Sequence, residues 1–232
     1  MPRFDIVKDY APEKTFRTES IVNNFDIDAE HLQERFTGEI AIEGLDWHVG
    51  LIVGGSGTGK TTIARQCFPD AYVVGYEYSK PSVIDDMPKA SVKDIEKAFT
   101  SVGFSSPPSW LKPYAVLSNG EKMRADLARA ILDDKDLIVF DEFTSVVNRE
   151  AAKTTSCAIA KAVRRSGKKF IAVSCHDDII DWLEPDWIYD TDQKRFFVLR
   201  GNSVAPQSGS KYSGLIARLK TKSGRFLENI TI

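Results

Sequence analysis

From Trp47 to Leu199, short apolar runs alternate with stretches whose apolar residues recur every three or four positions. Short apolar runs suit strands, and the three-to-four spacing suits helices that cover a sheet. The run Val49-Gly50-Leu51-Ile52-Val53 predicts a strand, 60–68 a helix and 71–76 a second strand. Helices are also predicted over 91–100, 120–132 and 149–165, with Gly167 placed to end the last of them. Leu137-Ile138-Val139-Phe140 contains no polar position, which predicts a strand buried on both faces. Residues 169–174 predict a further strand, 177–183 a short helix, and 187–190 with 195–199 a hairpin. This alternation predicts an α/β fold with a mostly parallel central sheet. The first 46 residues are mixed in pattern and hold two candidate antiparallel strands, 4–8 and 39–43.

Composition changes little in this picture. A chain of 232 residues with 42% hydrophobic and 28% charged residues and a formal net charge of -2 reads as an ordinary globular protein. Near-neutrality gives no overall pull toward nucleic acid or anionic membrane. Only the end differs: after Gly201, Lys211, Arg218, Lys220, Lys222 and Arg225 face the single acid Glu228. The expected division is one domain over 1–200, with a small helical subdomain at about 80–134, and a basic tail over 201–232. No apolar run approaches the roughly 20 residues of a membrane span, and the start lacks a secretory apolar region. Cys67, Cys157 and Cys175 have no metal-ligand or disulfide spacing, so a reduced, cytoplasmic protein is expected.

The strongest chemical signal is Gly54-Gly55-Ser56-Gly57-Thr58-Gly59-Lys60-Thr61, followed by Thr62, between a predicted strand and a predicted helix. This GxxxxGK[ST] spacing is a phosphate loop. Its glycines let successive N–H groups turn toward an anion, and the helix N-terminus adds a positive dipole end. Lys60 can reach the β- and γ-phosphates, and the Thr61 hydroxyl can ligate Mg²⁺. The strand 137–140 then ends in Asp141 and Glu142. At the carboxyl end of a parallel strand, both acids face the ligand crevice. Asp141 is the expected second holder of Mg²⁺. Glu142, one position on, can orient or deprotonate an attacking water.

Two more segments carry a resemblance. Leu117-Ser118-Asn119-Gly120-Glu121 leads into a helix containing Arg124 and Ala128-Arg129-Ala130-Ile131. It resembles the LSGGQ signature of ABC-type ATPases in an LSxGE form. The same Ser118 and Glu121 also read as a capping box, and the two readings are compatible. His176 follows the strand 169–174 where that family keeps its switch histidine, and 144–148 occupies the D-loop position. The blocks 142–149, 174–177 and 182–187 are similar to small soluble ABC ATPases of phages and mobile elements, some of whose relatives are fused to an acetyltransferase domain. The chain departs from the family pattern at Asn119, where glycine is usual, and at Asn148, where aspartate is common. No glutamine follows the strand 71–76; Glu77, Ser82 and Asp85 are the polar candidates there.

The resemblance implies ATP and Mg²⁺ as cofactors and a head-to-tail homodimer. ATP would lie between 54–61 of one copy and Ser118, Asn119, Gly120 and Glu121 of the other. Glu142 would activate water and His176 would contact the γ-phosphate. Phe25 and Phe36 are the upstream aromatics available to stack on adenine. The leading expectation is an ATPase that switches a DNA-associated or DNA-modifying partner, a separate chain that is acetyltransferase-like or DNA-acting, with the basic tail touching DNA. The alternatives are a transporter ATP-binding subunit, a slow or non-hydrolysing binding module, and a small-molecule kinase.

Overall fold

A computed structural model describes residues 2–10, 13–27 and 33–199. The basic run after Gly201 lies outside the described residues. Near the start, β1 (Arg3–Asp9) and β2 (Gln33–Glu39) pair antiparallel, with Arg3 opposite Glu39 and Asp9 opposite Gln33. The second strand therefore precedes the 39–43 expected from sequence. Cross-strand charge pairs fix this register: Arg35 binds both oxygens of Asp5, and Arg3 binds Glu39. Ile40 then turns fully inward and Gly44 bends the chain at φ +73°, so 40–43 cannot continue the ladder. Helix α1 (Phe16–Asn24), which apolar spacing did not reveal, is started by a capping box between Thr15 and Thr18.

The remaining strands form a six-stranded sheet in the order β4-β5-β6-β3-β7-β8. They are β3 (Val49–Val53), β4 (Tyr72–Val73), β5 (Leu137–Phe140), β6 (Lys169–Ser174), β7 (Trp187–Asp190) and β8 (Arg195–Val198). All pairings are parallel except the β7–β8 hairpin. The expected α/β architecture, with antiparallel strands at its N-terminal side, is the one observed.

The two-residue period of the strands divides the core. Val49, Leu51 and Val53 face a layer of three helices: α3 (Val92–Ser101), α5 (Asn119–Leu132) and α6 (Arg149–Ser166). Ile52 faces the other way, toward α2 (Lys60–Cys67), Trp47 and the β1–β2 pair. Phe170 and Ala172 of β6 join the first side, Ile171 and Val173 the second. Two short helices complete the chain, α4 (Pro107–Trp110) and α7 (Ile180–Leu183). Helix α7 begins three residues later than expected, after Asp178 is drawn into an ion pair with Arg149. Helix α6 ends where Gly167 takes φ +73°. Among the described residues, no helix is long and apolar enough to cross a membrane.

The strand expected over 71–76 pairs only through Tyr72 and Val73. Beyond them Gly75 takes φ +124°, and Tyr76 and Tyr78 are drawn onto α5. An edge strand has a partner on one side only, so side-chain contacts easily redirect it.

Gly50 is the tightest point of the sheet. A Cβ there would lie 2.1 Å from Cζ2 of Trp187, a ring that is fully buried. Gly50→Ala is expected to cost about 1–3 kcal/mol of unfolding free energy, because the rigid ring has nowhere to retreat. Urea unfolding of wild type and variant checks this; equal midpoints would show that the ring can move.

Candidate functional site

The parallel register puts the ends of β3, β5 and β6 on one edge. Val53 lies opposite Ser174, and Phe140 opposite Ala172. The glycine loop, Asp141-Glu142 and the Ser174–His176 turn therefore leave the sheet side by side, the crevice position expected for a ligand.

Gly57 and Gly59 hold φ +82° and +86°, conformations that an L side chain resists. Gly59 has a second constraint, since a Cβ would come within 2.5 Å of the Phe36 ring. The loop is fastened from outside by the β7–β8 turn. The Gly55 N–H donates to both carboxylate oxygens of Asp192, at 3.0 and 3.1 Å. Thr58 Oγ1 shares a 2.6 Å hydrogen bond with Thr191 Oγ1, and Thr191 N–H donates to Val53 O. Lys60 Nζ donates to Gly55 O at 2.5 Å, folded back along its own loop. Thr61 and Thr62 open α2 and are half-buried, while Ser56 is exposed.

Thr61, Asp141 and Glu142 line one cleft of about 580 Å³, together with Arg65, Tyr72 and Asn119. The Tyr72 hydroxyl donates to Asp141 Oδ2, and the Glu142 N–H donates to Oδ1 at 2.8 Å. Burial, reinforced by the neighbouring carboxylate, pushes the Tyr72 phenol up to about 12, so it remains a neutral donor. The Arg65 guanidinium lies over its ring, 4.9 Å from the centroid. Glu142 has φ +50°, an unfavourable backbone for glutamate that costs on the order of 1 kcal/mol. That turn leaves its carboxylate exposed, with no hydrogen-bond partner among the described residues. Thr61 hydroxyl and Asp141 carboxylate are hard oxygen donors on one wall. No cluster of three His, Cys, Asp or Glu able to hold a metal occurs among the described residues. A pair of oxygen donors suits Mg²⁺, which keeps several waters and shares phosphate oxygens.

The opposite wall is the first turns of α5. Ser118 caps the helix, and Glu121 returns the bond to the Ser118 N–H at 2.9 Å. Glu121 Oε1 also accepts from Ser109. These hydrogen bonds, that from Ser109 foremost, hold the Glu121 carboxyl down to about 2. Asn119 reaches the cleft, and Gly120 lies against Arg124 and Val147. His176 is half-buried, its N–H donating to Ser174 Oγ, and it does not line the cleft. Asn148 caps α6 through the Ala151 N–H.

None of Glu77, Ser82 and Asp85 lines the cleft. Glu77 contributes its carbonyl to Arg129, while the Ser82 hydroxyl donates to Asp85. The segment after β4 is anchored by aromatics instead. Tyr78 and Tyr114 stack with centroids 3.8 Å apart, and both donate to Asp126 of α5, at 2.7 and 2.8 Å. Burial raises the Asp126 pKa against the opposing pull of these bonds. Arg129 lies over the rings of Tyr76 and Tyr78. Local spacing carried no signal for this cluster, nor for Tyr72, Arg65 or Asp192, since each acts on a residue far away in sequence. Phe36 lines a second cleft of about 390 Å³ on the far side of the loop with Thr58, Thr191 and Asp192. Phe25 is 71% exposed at the end of α1.

Comparison with known proteins agrees with this geometry. The family model described as "ATPase family associated with various cellular activities (AAA)" matches residues 50–173, more than half of the chain. The dimeric post-hydrolysis structure of the ATP-binding cassette MJ0796 bound to ADP and Pi superposes with a TM-score of 0.53. Its identity is 15%, covering 68% of this chain and 89% of that one. A bacterial Atm1-family ABC exporter with ATP bound gives 0.51 at 19% identity, covering 76% and 37%. The ABC multidrug transporter atrD of Emericella nidulans is 33% identical over 101 residues, 44% of this chain and 7% of that protein. The lipoprotein-releasing system ATP-binding protein LolD 1 of Caulobacter vibrioides is 38% identical over 66 residues, 28% of each. The chain thus spans a minor part of these curated relatives. The fold is that of the ATP-binding cassette.

The capping box gives a pH-dependent expectation. The Glu121 pKa is lowered by folding, so its stabilisation is complete above the ordinary value of 4.5 and is lost as pH falls toward about 2. Glu121→Ala is expected to cost about 1 kcal/mol at pH 7. Thermal melting across pH should show the two proteins converging between about 4.5 and 2. A constant difference over that range would mean that the charge plays no part.

Proposed function

The chain belongs to the ATPase family associated with various cellular activities, and on that premise we propose that it binds ATP with Mg²⁺ and hydrolyses it within a head-to-tail pair of copies. The observation that carries this reading is the placing of Thr61, Asp141 and Glu142 in one cleft at the edge where the glycine loop leaves the sheet.

In this reading, the N–H groups of the 54–61 loop other than that of Gly55, which Asp192 occupies, hold the phosphates, and Lys60 exchanges Gly55 O for phosphate oxygens. Thr61 and Asp141 hold Mg²⁺, which neutralises charge on the transferring phosphoryl group when bound. Glu142 accepts a proton from the attacking water or aligns it, a role typically worth about 10²–10⁴ in rate. His176 contacts the γ-phosphate from the end of β6. Segment 118–120 of the partner subunit closes the site, so nucleotide binding and pairing reinforce each other. The exposed apolar side chains Val74 and Val146 at the cleft support burial by a second copy.

For the output, the proposal is the switching of a separate DNA-associated or DNA-modifying partner. The likeness of 142–149, 174–177 and 182–187 to phage and mobile-element cassettes supports it, as do the basic residues Lys211, Arg218, Lys220, Lys222 and Arg225. A transporter ATP-binding subunit is the second reading, favoured by the names of the curated relatives.

Light scattering on wild type, Glu142→Gln and Lys60→Ala tests the core of this proposal. Expected is a dimer with ATP and Mg²⁺ that persists in Glu142→Gln and is absent in Lys60→Ala, which loses nucleotide binding. A monomer that still holds ATP under every condition would overturn the paired mechanism. Stabilisation of the dimer by duplex DNA would favour the first output, whereas a rise in ATPase rate confined to native membranes would favour the second.

A further inference from the structure

Tyr72 stands on β4, the short edge strand, one strand away from the acid it touches. In register it lies opposite Val139, and Val73 lies opposite Phe140. The phenol therefore reaches forward past the end of β5 to meet Asp141, the first residue beyond that strand. Both carboxylate oxygens of Asp141 are engaged: Oδ2 by the Tyr72 hydroxyl, Oδ1 by the Glu142 N–H. A carboxylate offers about four lone-pair sites, so each oxygen keeps one for a metal-bound water. Two donors from different elements fix the rotamer of Asp141 without filling its coordination capacity.

The tyrosine is itself held in place. It is 7% exposed, packed with Val139, Ile171 and Ala71 on one side of the sheet. Arg65, one turn along α2 from Thr61, covers its ring. Arg65, Tyr72, Asp141 and Thr61 line the same cleft. The chain that follows β4 is anchored to α5 by the Tyr78 hydroxyl on Asp126 and by Arg129 on Glu77 O. The link from α2 to Asp141 thus runs through Arg65 and Tyr72.

We propose that Tyr72 is a positioning residue for the metal site: its hydroxyl, with Arg65 steadying the ring, holds the Asp141 carboxylate in the orientation that accepts Mg²⁺ beside Thr61. This rests on the nucleotide reading above and adds a residue that the phosphate-loop and acidic-strand motifs do not contain. A preset ligand binds metal without first losing the rotamer freedom of the acid. Tyr72 acts on the metal site through Asp141, and its hydroxyl also meets the Arg65 guanidinium.

The test compares ATP binding by calorimetry in Mg²⁺ and in EDTA, using the full chain as wild type, Tyr72→Phe and Asp141→Asn. The ratio of the two affinities reports the metal site independently of turnover. Expected is a loss of about tenfold in that ratio for Tyr72→Phe, comparable to one hydrogen bond to a charged group, with EDTA-state affinity and melting temperature at wild-type values. Arg65→Lys, which keeps the charge but not the planar stack, should lose part of the same ratio and serves if the phenylalanine variant folds poorly. A ratio unchanged or raised in Tyr72→Phe overturns the proposal, because the hydroxyl would then be idle or a competitor of the metal. If wild type gains nothing from Mg²⁺, or Asp141→Asn keeps the full gain, the nucleotide reading fails as well, and the two failures are told apart by these controls.

Discussion

The burial of β3 on both faces, with a parallel neighbour on either side, is the constraint from which the rest of the molecule follows. Its five residues are hydrogen-bonded to β6 and β7 and all are buried. Such a strand cannot extend into solvent as a strand, because its last carbonyls and N–H groups must find partners within a residue or two. The chain meets that demand with a glycine loop whose outer side is bonded to the β7–β8 turn. Its inner side then opens toward the edge where β5 and β6 also end. One buried strand therefore fixes that the glycine loop, the paired acids and the turn holding His176 all leave the sheet at the same edge.

The cleft beside the loop is organised by hydrogen bonds that cross between elements. Asp141 is held by Tyr72 from β4 and by its neighbour Glu142. Asp126, half-way along α5, is held by tyrosines from two different loops. In both cases an acid is kept in place by phenols whose own pKa values are raised, so the donors remain protonated throughout the ordinary pH range. Each acid in the cleft walls is thereby held by two hydrogen bonds, while Glu142 at its mouth is exposed. The backbone is held against its local preference at Glu142 (φ +50°) and Thr144 (φ +67°), two of the five non-glycine residues with positive φ among the described residues and the two that follow β5.

The start of α5 is held by its own capping residues. Ser118 and Glu121 satisfy the first N–H groups of α5, and Ser109 secures Glu121 further. That leaves Asn119 and Gly120 as the parts of the segment not consumed by capping. Of these two, Asn119 lines the cleft. The short connection from α3 through α4 to α5 is packed around Phe99, Phe104 and Trp110, which keeps this helix start at a set height above the sheet.

The amino-acid sequence determined the elements whose cause is local. Strand β5 and helices α2, α5 and α6 follow from runs and spacings of apolar residues, and the loop 54–61 and the acids Asp141 and Glu142 from the short-range order of residue types. It did not determine the β1–β2 register, where charge pairs between residues 30 and more positions apart decided against the strand expected over 39–43. Nor did it determine the length of β4, since the pull of α5 on Tyr76 and Tyr78 is invisible until the helix lies beside them. Helix α1 was hidden because none of its residues is buried, so it carries no apolar stripe to read. Tyr72, Arg65 and Asp192 became part of the site only in three dimensions. A hydrogen bond or a stacked cation depends on distance in space, and parallel strand order brings together residues that the chain keeps far apart.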